Sequence, residues 1–244
     1  MTAMTAPSAP PSEVRPSTKP GRPDDATRRR VRRRRWAGAM LVLGGVTLAA
    51  ASIVQPRGGD EVFAVSVAGS RAAWTSWGLL VMATALLQLP AVLGYRARVV
   101  TGRGVRLTAA GGTLTAASLV ALFAFGQFHA EAAAMVGAPP VSQELLDAFA
   151  RTDSAVSLGF TAVLALLGFH LGWPMLLTGL ARAGQVPAPL AIVAGSAVFL
   201  SLFGAAMGAA GETVLFVLAA ASLAAVGLHL VRGAATSAEP DPRR

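Results

Sequence analysis

Histidines 129, 170 and 229 are the only imidazoles in a 244-residue chain that contains no cysteine. Disulfides, thiolate metal sites, iron–sulfur clusters and thiol nucleophiles are therefore excluded. His129-Ala130-Glu131 has the H-x-E spacing of half a zinc-deaminase signature, but the other half, P-C-x-x-C, needs cysteine. A metal site built from His129, Glu131, Glu144, Asp147 and Asp153 is also disfavoured. Two positions along a helix turn about 200°, so residues 129 and 131 diverge. Haem held by two histidines fails on depth, because the spans described below place the three imidazoles at three levels. H-E-x-x-H, a phosphate-binding loop and G-x-S-x-G are all missing. We expect no catalytic residue, no cofactor and no metal, and lean away from an enzyme.

The remaining candidate is Leu166-Leu167-Gly168-Phe169-His170-Leu171-Gly172-Trp173-Pro174. It lies within an uncharged run from Ala155 to Ala181, about 40 Å of helix at 1.5 Å per residue. An ionisable side chain at membrane depth is a functional hypothesis by default. Pro174 has no N–H for the His170 carbonyl, so residue 170 presents both an imidazole and a freed backbone oxygen. Trp173 follows along the same face, which makes His170, Trp173 and Pro174 the expected intramembrane polar site. Gly168 and Gly172 lie on the opposite face as a small-xxx-small helix contact. In the plainer alternative, His170 is neutral and bonded to a neighbouring helix hydroxyl. A cavity reaching His170 decides for function; a solid core decides for packing.

The elements that position this stretch are apolar. The chain is 54% hydrophobic and 14% charged, against about 25% charged in soluble domains. Six apolar runs, at 36–54, 74–95, 107–129, 155–181, 187–208 and 212–231, carry no Asp, Glu, Lys or Arg in their interiors. Each is long enough to cross a hydrocarbon core of about 30 Å. The expected fold is all-α, an integral membrane bundle of six transmembrane helices spanning 36–231. Placing the N-terminus inside assigns 18 of the 21 basic residues to cytoplasmic tails and loops, leaving Arg57, Arg71 and Arg151 outside. The positive-inside rule then puts both termini in the cytoplasm. The first run, with Ala49-Ala50-Ala51, also has features of a cleavable signal; its length favours a retained helix.

Residues 1–35 are polar and arginine-rich, too poor in apolar surface to offset ordering entropy. They are expected to form a disordered basic cytoplasmic tail, and 232–244 a second disordered tail. Arg28, Arg29, Arg30, Arg32, Arg33, Arg34 and Arg35 make a polybasic block suited to anionic lipid head groups. Nucleic acid is not an expected partner, since no aromatics interleave the block.

The loops and helix faces add detail. Phe63-Ala64-Val65-Ser66-Val67 alternates as a short strand or interfacial segment does. Pro90 predicts a kink in the second span. Thr108, Gly111, Gly112, Thr115 and Ser118 form a small-and-polar stripe, and Gly204 and Gly208 a small-xxx-small pair on the fifth span. Such faces pack helices, in one chain or between copies of it or a membrane partner. Val141, Leu145, Leu146 and Phe149 recur at helical spacing, predicting a short amphipathic helix on the outer membrane surface or capping the bundle. A shift of 84 residues aligns Pro90 with Pro174 and Arg98 with Arg182, although such matches arise readily in an Ala/Gly-rich chain.

From Gly168 to Gly195, with Leu-Thr-Gly-Leu-Ala-Arg-Ala-Gly-Gln-Val-Pro turning between two helices, the chain resembles multi-pass membrane proteins of unknown function from bacteria with GC-rich genomes. The resemblance implies a six-helix protein of the bacterial cytoplasmic membrane and assigns no active residue. The leading expectation is a structural or interaction component. The alternative is a carrier or permease-type subunit for a small neutral or hydrophobic substrate, using a cavity near His170 and Pro174.

Overall fold

The computed structural model describes residues 25–56, 63–99, 101–136, 141–153 and 156–236. Among them every regular element is helical: α1 (Asp25–Val54), α2 (Phe63–Gly69), α3 (Arg71–Arg96), α4 (Val105–Met135), α5 (Gln143–Asp153), α6 (Val156–Arg182), α7 (Ala188–Ser201), a 3-10 turn (Gly204–Met207) and α8 (Gly208–Thr236). Five helices are long and apolar enough to cross a membrane, at Val31–Val54, Arg71–Arg96, Val105–Met135, Leu158–Arg182 and Gly204–Gly233. The protein is a multi-pass, membrane-embedded helical bundle.

The fifth apolar run departs from expectation. Its helix, α7, has 14 residues, about 21 Å, short of a full crossing. After Ser201 the chain tightens into the 3-10 turn and swings at Gly208, whose φ of +74° lies in the left-handed region. Gly204 and Gly208 therefore form no helix face. Gly204 backs onto Glu212, and Gly208 has no neighbour within 4 Å of an added Cβ.

Two smaller departures have simple causes. The described part of the basic tail, from Asp25, is continuous with α1, because arginine is a good helix former once a long apolar helix nucleates the turn. Residues 1–24 and 237–244 lie outside the described residues. Phe63–Gly69 is helical, and its alternation does not make a strand.

The long helices close a ring: α1 packs on α3, α3 on α4, α4 on α6, α6 on α7, α7 on α8, and α8 on α1. Close approaches fix the register. A Cβ added at Gly38 would lie 2.6 Å from the Gly227 carbonyl oxygen, and one at Gly78 would lie 2.6 Å from that of Gly126. These pairs set α1 antiparallel to α8 and α3 antiparallel to α4. The stripe on α4 is buried and seats α6, with Gly168 meeting Ser118, Gly172 meeting Thr115 and Gly179 meeting Thr108.

This register gathers Arg34, Arg96, Arg98, Arg103, Arg106, Arg182 and Arg232 at one end of the ring. Both hairpins there turn on glycine. Gly104 (φ +90°) precedes α4, and the α6–α7 turn carries the paired bonds Gln185 N–H to Leu180 C=O (2.9 Å) and Gly184 N–H to Ala181 C=O (3.0 Å), the glycine-capped helix end. At the opposite end, Val141, just before α5, and Leu145, within it, pack with Val67, Ala132, Val136 and Trp74. The short amphipathic helix thus caps the bundle. In the arginine-rich half the interior is solid, filled by Leu41, Tyr95, Trp173, Leu177, Leu223 and Leu230.

Candidate functional site

The other half of the ring is not filled. A cavity of about 290 Å³ lies among α1, α3, α4, α6 and α8. Its lining runs from Leu48 to Ser52 on α1 and Gln55 just after it, and from Trp77 to Thr84 on α3, with Leu122 and Phe125 on α4, Ala162 to His170 on α6, and Glu212 and Phe216 on α8. His170 is the floor and Glu212 with Gln55 the rim.

The geometry of His170 follows from its helix. Side chains on a helix lean toward the N-terminus, so the ring reaches back over its own preceding turn, and Nδ1 lies 2.6 Å from the Leu166 carbonyl. A carbonyl only accepts, so Nδ1 carries the proton. In the neutral ring Nε2 is then a bare acceptor. His170 is only 2% exposed, and Nε2 has no hydrogen-bond partner. A buried acceptor left unmatched costs about 1–3 kcal/mol. The Phe216 ring meets the imidazole at a centroid distance of 5.9 Å, one helical turn below Glu212.

At the rim, Gln55 Nε2 donates to Glu212 Oε1 across 3.4 Å, and Thr213 Oγ1 lies 3.0 Å from the Ala209 carbonyl of its own helix and 3.4 Å from the Ser52 carbonyl of α1. Other polar groups in the lining are engaged locally. Ser52 Oγ donates to the Ala49 carbonyl at 2.8 Å, and Thr84 Oγ1 lies 2.8 Å from the Leu80 carbonyl and 2.9 Å from Thr47 Oγ1. Trp77, Phe125, Phe169 and Phe216 supply aromatic wall.

The three residues expected to form one site are separated. His170 lines the cavity. Trp173 is fully buried in the solid half, and Pro174 backs onto Gly195 of α7. Positions i, i+3 and i+4 span about 100° of helix surface, wide enough to face three surroundings. His170 bonds to its own helix and to no neighbouring hydroxyl. Gln55, Trp77, Thr84 and Glu212 were missed by sequence reasoning. Glu212 had a usable signal: a carboxylate at the first position of an apolar run, a turn before an aromatic.

The other sequence candidates sit elsewhere. His129 is packed face to face on Trp74 (5.3 Å, 9°) with Trp77, Phe125 and Phe128 around it, and its Nδ1 lies 2.7 Å from the Phe125 carbonyl. Glu131 accepts from Gln127 at 2.7 Å and Asp147 from Gln143 at 3.0 Å. Among the described residues no three of His, Asp and Glu converge as metal ligands.

In the polybasic block, Arg28, Arg29, Arg32, Arg33 and Arg35 are exposed, and the Arg30 side chain lies outside the described residues. Arg34 is half-buried near Gly233 of α8. Arg98 lies over the Tyr95 ring, 5.8 Å from its centroid. Burial pulls the Arg98 guanidinium below its ordinary value, and the positive charge of Arg34 adds to that pull. Comparison with known proteins adds no name to this geometry: no family model, no curated protein and no solved structure matches the chain.

Proposed function

We propose that this protein is a carrier or permease-type membrane protein that holds a small, mostly apolar molecule in the cavity floored by His170. The cavity is the observation that carries this reading. Its volume of about 290 Å³ sits near the lower edge of the roughly 300–1,000 Å³ usual for ligand pockets. Mostly apolar walls with a few placed polar groups are also what such pockets have.

A purely structural or interaction role draws less support. The small-residue face of Gly168 and Gly172 is used up against α4 inside the chain, leaving it unavailable to a partner. Two proline-containing helices also favour a moving bundle. The Gly78–Gly126 and Arg96–Gly112 contacts put Pro90 close to the level of His170, and the Gly172–Thr115 contact puts Pro174 about one turn nearer the arginine-rich end. α3 and α6 thus each lack a backbone hydrogen bond within about a turn of the cavity floor. Such paired weak points suit the rocking of one part of a bundle against another. On the positive-inside rule the arginine-rich end and both termini are cytoplasmic, in a bacterial cell membrane, so the cavity faces outward.

Ala165 lines the cavity and is 5% exposed. In Ala165→Phe the ring fills that space, and saturable binding of n-hexanol, read by tryptophan fluorescence of the purified protein in nanodiscs, is expected to vanish while the protein remains monodisperse. Unchanged hexanol binding would sink the proposal.

The arginine-rich end is proposed to rest on anionic head groups through Arg28–Arg35 and Arg98. The positive charges of Arg34 and Arg98 act on each other at this end, which favours a phosphate counter-charge. Nanodiscs containing phosphatidylglycerol are expected to stabilise the protein over phosphatidylcholine alone, with Arg34→Ala and Arg98→Ala each removing about 1 kcal/mol of that gain. Equal melting temperatures in the two lipids would argue against it.

A further inference from the structure

The polar chemistry of the cavity is one-sided. Glu212 is the one charged side chain in its lining among the described residues, and no Lys or Arg accompanies it. The floor is a second acceptor, His170 Nε2, buried and without a partner. An apolar molecule with no polar group would leave Nε2 unmatched and Glu212 facing hydrocarbon, both costly. An anion would be repelled at the rim. A cation with an apolar body matches both ends.

A helix N-terminus by itself explains an acid near the start of α8. It does not explain why that acid lies on the same cavity as an unpartnered imidazole nitrogen, or why the surface between them is aromatic. Phe216 stands one turn below Glu212 and packs edge-on to the His170 ring, and Trp77 faces the same space. Aromatic faces attract a cation once it is desolvated. Gln55, which donates one amide N–H to Glu212, still has its carbonyl oxygen to offer a second donor.

We infer that the cavity ligand is an amphipathic amine, its protonated amino group held by Glu212 and Gln55 at the rim and its apolar body extending along Phe125 and Phe216 toward His170. His170 Nε2 then accepts a hydrogen bond from any N–H or O–H carried on the far end of that body. This rests on the cavity being the binding site and adds the sign of charge that it selects.

The test uses the full chain in nanodiscs and three six-carbon probes: n-hexylamine, n-hexanol and n-hexanoate. Binding is read as saturable change in tryptophan fluorescence, with empty nanodiscs and Ala165→Phe subtracting partition into lipid. Hexylamine is expected to bind about tenfold tighter than hexanol, and hexanoate not to saturate. Glu212→Gln keeps the side-chain shape; it is expected to weaken hexylamine to the level of hexanol, and an unfolding midpoint in SDS equal to that of the parent reports that the variant is folded. Equal binding of hexylamine and hexanol to the unaltered protein, or an amine preference that survives Glu212→Gln, overturns the charge assignment and leaves the cavity standing. If no probe saturates, or if Ala165→Phe binds as the parent does, the cavity reading falls and this inference falls with it.

Discussion

Replacing Gly111 by leucine is expected to split α4 from α6 and unfold the bundle at mild denaturant. Gly111 is buried, and an added Cβ would run into the backbone nitrogen of Leu176 and the carbonyl carbon of Met175. Neither is the end of a flexible side chain that can swing aside. The whole of α6 must therefore retreat, and with it the Gly168–Ser118, Gly172–Thr115 and Gly179–Thr108 contacts on the same seam. In lipid these contacts matter more than in water. Helices there gain little from hiding apolar surface and associate by close packing. Overpacking a tight contact costs about 1–3 kcal/mol in ordinary cores. With an entire seam displaced, we expect a loss of about 3 kcal/mol or more. The measure is unfolding midpoint in SDS titration of the purified protein. Gly94→Ala is the control, because its Cβ would meet only Ala37 Cβ at an ordinary 3.7 Å, and its midpoint should barely move. A normal midpoint for Gly111→Leu would mean that α4 and α6 do not pack as described.

Trp173→Ala is expected to be the most damaging of the side-chain truncations, in both stability and tightness. Trp173 is fully buried and belongs to the solid half of the ring with Leu176, Leu177 and Tyr95. It sits about one turn below His170, so deleting the indole leaves a void that continues the cavity toward the arginine-rich end. Truncating a buried Trp or Phe costs about 3–5 kcal/mol in soluble cores, and part of that is transfer from water, which lipid does not supply. We therefore expect about 3 kcal/mol. The void also brings Gln88 and the Tyr95 hydroxyl, both buried and without partners, within reach of water entering from the cavity. Proteoliposomes carrying the variant should leak protons faster than those carrying the parent. Trp36→Ala, at a position 60% exposed, should change neither property.

The sequence disclosed those parts of the fold whose cause is local. Apolar runs at 74–95, 107–129 and 155–181 correspond to α3, α4 and α6 because charged residues at their ends mark where helix meets head group. The amphipathic period after Pro140 marks α5 for the same reason. The end of α7 was hidden, since no polar residue separates Ser201 from Gly208 and hydropathy does not register a turn made by glycine and a 3-10 tightening. The continuation of α1 into its arginines was hidden by composition, which treats a basic block as solvated whether or not a helix runs through it.

The site was half legible. His170 stood out as an ionisable group at membrane depth, but its neighbours come from four other helices. Which of their residues share its level depends on interhelical register, and that register is set by glycine contacts such as Gly38–Gly227 that leave no trace in a single sequence. Glu212 illustrates the point. At the edge of an apolar run it reads as a boundary marker, and only the antiparallel seating of α8 on α1 brings it beside Gln55 and over the same space as His170.

The glycine contacts also distribute stiffness unevenly around the ring. Between α1 and α8, α3 and α4, and α4 and α6, backbone meets backbone so closely that a Cβ on the contact glycines would overlap the facing helix. Such seams behave as welds. The α6–α7 seam is different: at Gly195 a Cβ would find Pro174 at an unforced 3.4 Å, and α7 is the shortest member of the wall. The compliance of the ring is therefore concentrated in one slat, seated on the proline just beneath the cavity floor. A wall with three welded joints and one loose slat deforms along the slat, so α7 is where this barrel would give way if its closed half were ever to open.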